Sequence, residues 1–385
     1  MRRSTERILT THAGSLPRPA DLLQMVRAKS RGEPVDEPKL ASRIKEAVSE
    51  IVRKQVDTGL DVIDDGEFGK PSFVTYIRER LGGLEPHGHR PNAWLSSREA
   101  ISFPDYYKQQ ESASPRAKQV QMACTMPLTY KGQAALKAEL ETLKSALNGV
   151  NAADVFVPCI SPANIEDWNE NKYYATNDEY LLAIADAMNV EYKTIVDAGF
   201  LIQVDDPRLV SYYLMDPKMS VDDIRKWAGK RVEALNHALR GIPTEKIRYH
   251  TCYSINMGPR IHDLEVKHII DILMQIRAGA FSFEASNPRH EHEWAVWKEA
   301  KLPKDTVLIP GVITNSSVLV EHPELVAQRI MRFAEFMGRE NVIAGTDCGF
   351  ASFAGSDEVH ASIVWAKMKA MVEGAEIASK RLWER

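Results

Sequence analysis

Residues 247–254 read Ile-Arg-Tyr-His-Thr-Cys-Tyr-Ser. Ile247, Tyr249 and Thr251 alternate with Arg248, His250 and Cys252, the period-2 pattern of a strand, so His250 and Cys252 share one face. An imidazole and a thiolate aimed at one point are donors that suit zinc, provided further ligands arrive from elsewhere. Alone, the pair is also what an ordinary strand end supplies. Its weight comes from other short apolar runs that end in polar groups of the same kind. These ends lie at 12–15, 64–67, 161–164, 205–206, 250–252, 284–287 and 347–348, and they concentrate carboxylates, thiols and imidazoles.

Positioning such ends requires strands that converge. Eight β-rich runs recur, at 8–13, 60–65, 154–160, 201–205, 247–252, 280–284, 307–312 and 342–347. Segments of helical period separate most of them, at 40–57, 177–198, 221–239, 266–278 and 323–337. Strands alternating with helices predict parallel βαβ units, and eight units predict a (β/α)8 TIM barrel, whose chemistry lies at the C-terminal rim. A doubly wound sheet is the alternative, but no Gly-x-Gly-x-x-Gly follows a strand. The interval from about 82 to 150 is too long for one connection. It reads as a capping insertion between strands 2 and 3, with a strand at 117–126 and a helix at 133–147. The whole of 1–385 is expected to form one catalytic domain.

Composition narrows the function classes. Net charge is −4, from 53 acidic and 49 basic residues without long runs, so nothing predicts a nucleic-acid partner. Apolar stretches are too short to span a membrane, and the charged start lacks the apolar core of a signal peptide. Four scattered cysteines do not make a disulfide scaffold, which predicts a reduced, cytoplasmic setting with thiols free for metal or chemistry.

With these ends in view, the chain resembles the catalytic C-terminal barrel of cobalamin-independent methionine synthase and its short single-barrel relatives, which include epoxyalkane:coenzyme M transferase. The likeness runs from Thr10 to Gly349. His250-Thr251-Cys252, Glu284 in Phe283-Glu284-Ala285-Ser286, and Asp347-Cys348-Gly349 match the motifs of the family's zinc ligands. The resemblance therefore implies Zn²⁺ held by His250, Cys252, Glu284 and Cys348. Thr10-Thr11-His12-Ala13-Gly14-Ser15-Leu16-Pro17 is similar to the segment whose backbone and serine hold an amino acid's carboxylate. Gly66-Glu67 resembles a Gly-Glu whose carboxylate meets its amine, and Asp205-Asp206-Pro207 is similar to a strand end whose first Asp, here Asp205, also faces that amine, with Asp206 in place of the usual Glu. Trp168 has the spacing of a tryptophan near the folate. The long synthase's N-terminal barrel has no counterpart here, and 256–263 and 285–294 look like the short relatives.

What the resemblance implies is a zinc-dependent methyltransferase that activates a thiol as zinc thiolate and methylates its sulfur. The amino-acid motifs favour homocysteine as acceptor and methionine as product. The methyl donor is left open among methylfolate, a methylated corrinoid protein and a simple methylated metabolite, and a homo-oligomer is compatible. Sulfur-rich, anionic coordination keeps a bound sulfur nucleophilic, unlike the His-rich zinc of hydrolases. Alkyl transfer to another thiol, such as coenzyme M, is the near alternative. A lyase like the uroporphyrinogen decarboxylases would want more rim arginines than Arg18 and Arg289. Asp347 and Asp263 are expected to orient ligands. Bland readings stand beside these: His12 bonds nearby backbone, Trp168 packs, and His290 and His292 belong to a solvated loop.

Overall fold

The computed structural model describes residues 1–89, 92–113, 120–253, 258–303, 305–355 and 359–384. Its strands, in chain order, are β1 (Leu9–Thr10), β2 (Val62–Ile63), β3 (Leu81–His89), β4 (Val120–Tyr130), β5 (Asp154–Ile160), β6 (Asn169–Asn171), β7 (Leu201–Asp205), β8 (Ile247–Thr251), β9 (Ala280–Phe283), β10 (Val307–Ile313) and β11 (Ile343–Thr346). Eight of them form one sheet in the order β1-β11-β10-β9-β8-β7-β5-β2, with every pairing parallel. A parallel bridge from Thr11 to Val62 brings the two edge strands together. This is the expected TIM barrel, and each of the eight sequence runs coincides with one barrel strand, β10 running one residue past its run to Ile313.

Alternation sorts the strand residues between two environments. On β7, Ile202 and Val204 join the main apolar core shared with the helices. Leu201 instead packs with Val62 and Phe156 in a small separate cluster. Gln203 and Asp205 continue Leu201's inward face by the same parity. On β8, Ile247 and Tyr249 join the main core, which turns Arg248 and His250 inward. Arg248 is fully buried over the Phe156 ring at 3.9 Å, and it donates to Thr11 Oγ1 and the His12 carbonyl, each at 3.1 Å. Burial lowers it to about 10, so it stays cationic at neutral pH.

Capping explains several helix limits. Asp36 accepts from Lys39 N–H to start the helix Glu37–Thr58, and Gly59 ends it with φ +98°. Ser220 and Asp223 form a capping box for Val221–Ala238. His322 caps Pro323–Met337, which has the bounds that its period predicts. The predicted helix at 266–278 is a 3-10 turn (Val266–His268) and a short helix (Ile270–Leu273). Ile269, at φ −135°, breaks the regular course between them. Among the described residues no helix is long and apolar enough to cross a membrane.

Between β2 and β5 the chain builds the cap. β3 and β4 pair antiparallel and the helix Gln133–Ala146 follows β4, while β6, which comes after β5, joins β4 in parallel. The strand expected at 117–126 is β4; residues 117–119 of it lie outside the described residues. Three short helical pieces, including Arg98–Ser102, fill the middle of this insertion.

Candidate metal centre

Parity brings β8's inward face to the rim at His250 and, one step beyond the strand, Cys252. Cys348 arrives from the turn after β11. The ligand atoms of His250, Cys252 and Cys348 lie within 4.8 Å of one another, and all three residues are buried. The two sulfurs are 3.2 Å apart as free cysteines. His250 Nδ1 meets Ser282 Oγ at 3.1 Å, while its buried Nε2 has no partner. A buried ring nitrogen without a partner, beside two thiols, is the donor set a borderline-soft cation completes. The residues present thus fit zinc.

The hydrogen bond with Cys252 and burial push the Cys348 thiol well above its usual range. A cation placed against the sulfurs would reverse that preference and leave them as thiolates.

Glu284 does not belong to this three-residue group. Its Oε1 accepts Tyr253 N–H at 2.8 Å, and its Oε2 accepts from Arg260 at 2.9 Å and from Asn287 at 2.7 Å. Burial raises it to about 7 against the pull of Arg260. Asp347 Oδ1 accepts Ala285 N–H at 2.8 Å and Ser286 N–H at 3.0 Å, tying the turn after β11 to the loop after β9. The carboxylate crosses over β10 at Gly311, where a Cβ would stand 2.1 Å from Asp347 Oδ1.

A cleft of about 410 Å³, counting space open to solvent, lies in front of the three donors. Ser15, Glu67 and Asp205 line it, together with Phe73 and Ser352. Glu67 sits at φ +58°, a region that residues with a Cβ seldom occupy, and its buried Oε2 has no partner. Gly14 makes room for it: a Cβ there would be 2.9 Å from Glu67 Oε1. Burial raises Glu67 to about 7, opposed by Lys70 and Arg18, and raises Asp205 to about 8, opposed by His250. Ser15 Oγ lies 3.2 Å from Ser352 Oγ and accepts Ala351 N–H at 3.3 Å.

The other sequence candidates are not among the residues that line this cleft. His12 does not line the cleft. Its Nδ1 accepts Gly14 N–H at 3.1 Å, Nε2 meets Gln55 Oε1 at 2.7 Å, and burial lowers it to about 4, so it is a neutral scaffold residue. Asp206 accepts from Asn164 at 2.9 Å, holding the β5 loop to the β7 loop. Trp168 tilts against Phe353 at 6.1 Å, and Phe353 in turn packs on Cys252 and Cys348. His290 is not in a solvated loop. It is buried between Asp263 (3.0 Å) and Glu293 (2.9 Å) and stacks on Tyr253 at 3.7 Å. Burial opposes its charge, but those two carboxylates raise it to about 9. His292 is exposed. Arg248, Arg260 and Glu99 were not among the sequence candidates. Arg248's place on the His250 face was the available signal; the loop residues offered none.

A family model described as the catalytic domain of cobalamin-independent synthase matches residues 8–376. A methionine synthase of Thermococcus kodakarensis is 24% identical over 377 residues, covering 97% of this chain and 94% of its own length. One from Saccharolobus islandicus is 26% identical over 380 residues, with coverage of 97% and 95%. The solved structure of a B12-independent methionine synthase from a Shewanella species, in complex with selenomethionine, shares the fold. Its TM-score is 0.75 at 18% identity, over 98% of this chain and 100% of that one.

Proposed function

The chain belongs to the family of cobalamin-independent synthase catalytic domains, and from that premise we propose that it is a zinc-dependent methyltransferase making methionine from homocysteine. The observation that carries this reading is one cleft with two chemistries: the His250, Cys252 and Cys348 donors at one end, and the carboxylates of Glu67 and Asp205 along its wall. Its curated relatives are named methionine synthase, which agrees with it.

His250, Cys252 and Cys348 would hold the zinc, with Glu284 as the further ligand. When bound, zinc lowers the pKa of a thiol that coordinates it while leaving the sulfur nucleophilic. The chain's own residues orient the rest of the acceptor. Ionised Glu67 and Asp205 attract an ammonium group in a site shielded from water, where charge pairs are stronger than in solvent. Ser15, beside Ser352 and the backbone of 349–352, offers hydroxyl and amide contacts to a carboxylate. Asp206 acts through Asn164, keeping the β5 and β7 loops in register. Phe353, packed on the two cysteines and tilted against Trp168, offers an aromatic surface that would suit a donor's flat or apolar part. The donor itself is a methylfolate, a methylated corrinoid protein or a simple methylated metabolite.

Thiol addition in the manner of a coenzyme M transferase ranks second, because a sulfonate would face two carboxylates at the cleft wall. The experiment is turnover with homocysteine and with coenzyme M, each offered with the three donor classes, on protein analysed for metal. About one zinc per chain is expected, with methylation of homocysteine. Turnover of coenzyme M alone would overturn the methionine reading, and protein active without any metal would overturn the zinc.

A further inference from the structure

A carboxylate that leaves a metal inside a protein has no bulk water to receive it, and an unpaired buried charge is costly. Glu284 already has a receiver. Arg260 reaches its Oε2 at 2.9 Å, and Asn287 and the Tyr253 N–H take the remaining contacts. Arg260 is 5% exposed and sits at φ +59°, the left-handed region that residues with a Cβ avoid. Such a conformation persists only where surrounding contacts enforce it. Here Glu99 does so: its two carboxylate oxygens accept Arg260 N–H at 3.1 Å and His262 N–H at 2.8 Å. Glu99 is fully buried in the short helix Arg98–Ser102 of the cap. On the other side, Asp263 accepts from Arg260 Nε at 2.8 Å and is itself braced by His290.

We propose that Arg260 is the alternative partner that makes Glu284 an exchangeable ligand, and that the cap, through Glu99, holds Arg260 where it can receive that carboxylate. The inference rests on the zinc reading above. With zinc held by His250, Cys252 and Cys348, a substrate thiol that gives its proton to solvent would bring one anion in place of another, and the released Glu284 carboxylate would rest on Arg260, a planar cation able to bind it bidentately. Arg260 is thus a positioning residue. Its role is to keep Glu284 from becoming a permanent ligand.

The test needs no methyl donor. Full-length protein is stripped of metal and titrated with zinc against a chromophoric chelator, then loaded with cobalt(II) and titrated with homocysteine while its absorption spectrum is followed. Arg260→Met is expected to bind zinc about tenfold more tightly and to need about tenfold more homocysteine for the spectral change. In a Glu284→Gln background, Arg260→Met should change neither, which separates ligand exchange from the loss of a nearby positive charge. Glu99→Ala, remote from the metal-binding group, should shift both readouts in the same direction by a smaller factor, and it serves if Arg260→Met does not fold. Parent-like zinc and homocysteine affinities in the Arg260 and Glu99 variants would overturn the proposal, as would an Arg260 effect that survives in Glu284→Gln. A parent protein that binds no zinc would overturn the zinc reading itself.

Discussion

Replacing Asp347 by alanine takes the acceptor away from two buried amides at once. Asp347 is fully buried, and its Oδ1 alone serves Ala285 N–H at 2.8 Å and Ser286 N–H at 3.0 Å, while Asn287 lies 3.4 Å from Oδ2. A hydrogen bond to a charged group contributes about 1.5–3 kcal/mol, and a stranded buried donor costs about 1–3 kcal/mol. The two amides share one oxygen and water can enter the vacated space, so the expected loss is about 3 kcal/mol rather than the full sum. Asparagine can keep an oxygen toward both amides. It gives up the charge and sets its own amide near that of Asn287, so about 1 kcal/mol is expected. Urea unfolding of metal-free protein at neutral pH measures both, with unchanged slopes required for the comparison. An alanine variant within about 0.5 kcal/mol of the parent would refute the reasoning. So would an asparagine variant as damaged as alanine, because charge rather than acceptor geometry would then hold the loop.

Cys252→Ser and Cys348→Ser should each lose zinc in metal analysis while keeping the parent's circular dichroism; retention of a full zinc complement by either would remove that residue from the ligand set. Gly14→Ala forces a Cβ to 2.9 Å from Glu67 Oε1 and 3.0 Å from Pro158 at φ +119°. It should cost about 1–3 kcal/mol of stability and weaken homocysteine binding, and calorimetric titration at parent affinity would count against the placement of Glu67. Glu67 and Asp205 are raised by burial to about 7 and about 8, so the folded protein holds protons that the unfolded chain releases near the ordinary carboxylate range. Their contribution to stability is therefore fully present below the ordinary carboxylate range and is lost progressively as pH rises from there to about 7 and about 8, whereas affinity for an ammonium-bearing acceptor rises as pH approaches and passes about 7 and about 8. Thermal melts and KM across that range check both signs, and Asp205→Asn should flatten the upper part of the KM profile.

Alternation made the barrel legible. Arg248, His250 and Cys252 fall on one face because β8 keeps its period, and the helix at 323–337 announces its start with His322 and Pro323. The cap was harder to read. β3 carries Gly82, Gly83, Pro86 and Gly88, which look like a loop in sequence. They pair because Gly83, at φ +88°, lets the strand approach the Met126 and Pro127 carbonyls, where a Cβ would meet both at 2.8 Å. His290 reads as a solvated histidine in sequence because Asp263, the carboxylate that pairs with its Nε2, lies 27 residues away, while only Glu293 is local. Arg260 and Glu99 lie 161 residues apart. Neither sits in a periodic segment, and pairing across such a distance leaves no local signature. Glu284 shows the complementary limit: the resemblance implied a ligand, but only three dimensions show that Arg260 holds its carboxylate.

Most neighbouring barrel strands share several registered residue pairs, but β1 and β2 are two residues each and meet through the single Thr11–Val62 bridge. Side chains do part of the ladder's work there. Asp61 accepts Thr10 N–H at 2.9 Å, and Thr11 Oγ1 donates to the Val62 carbonyl at 2.8 Å. A seam of that kind is where a closed sheet opens first, ahead of global unfolding. Ser15 and Glu67 hang from its two sides. An amino acid bridging them would act as a stitch across the joint, so that occupancy of the cleft and closure of the cylinder become one equilibrium. Amide exchange at β1 and β2, slowed by acceptor while β8 and β9 are unaffected, would be its signature.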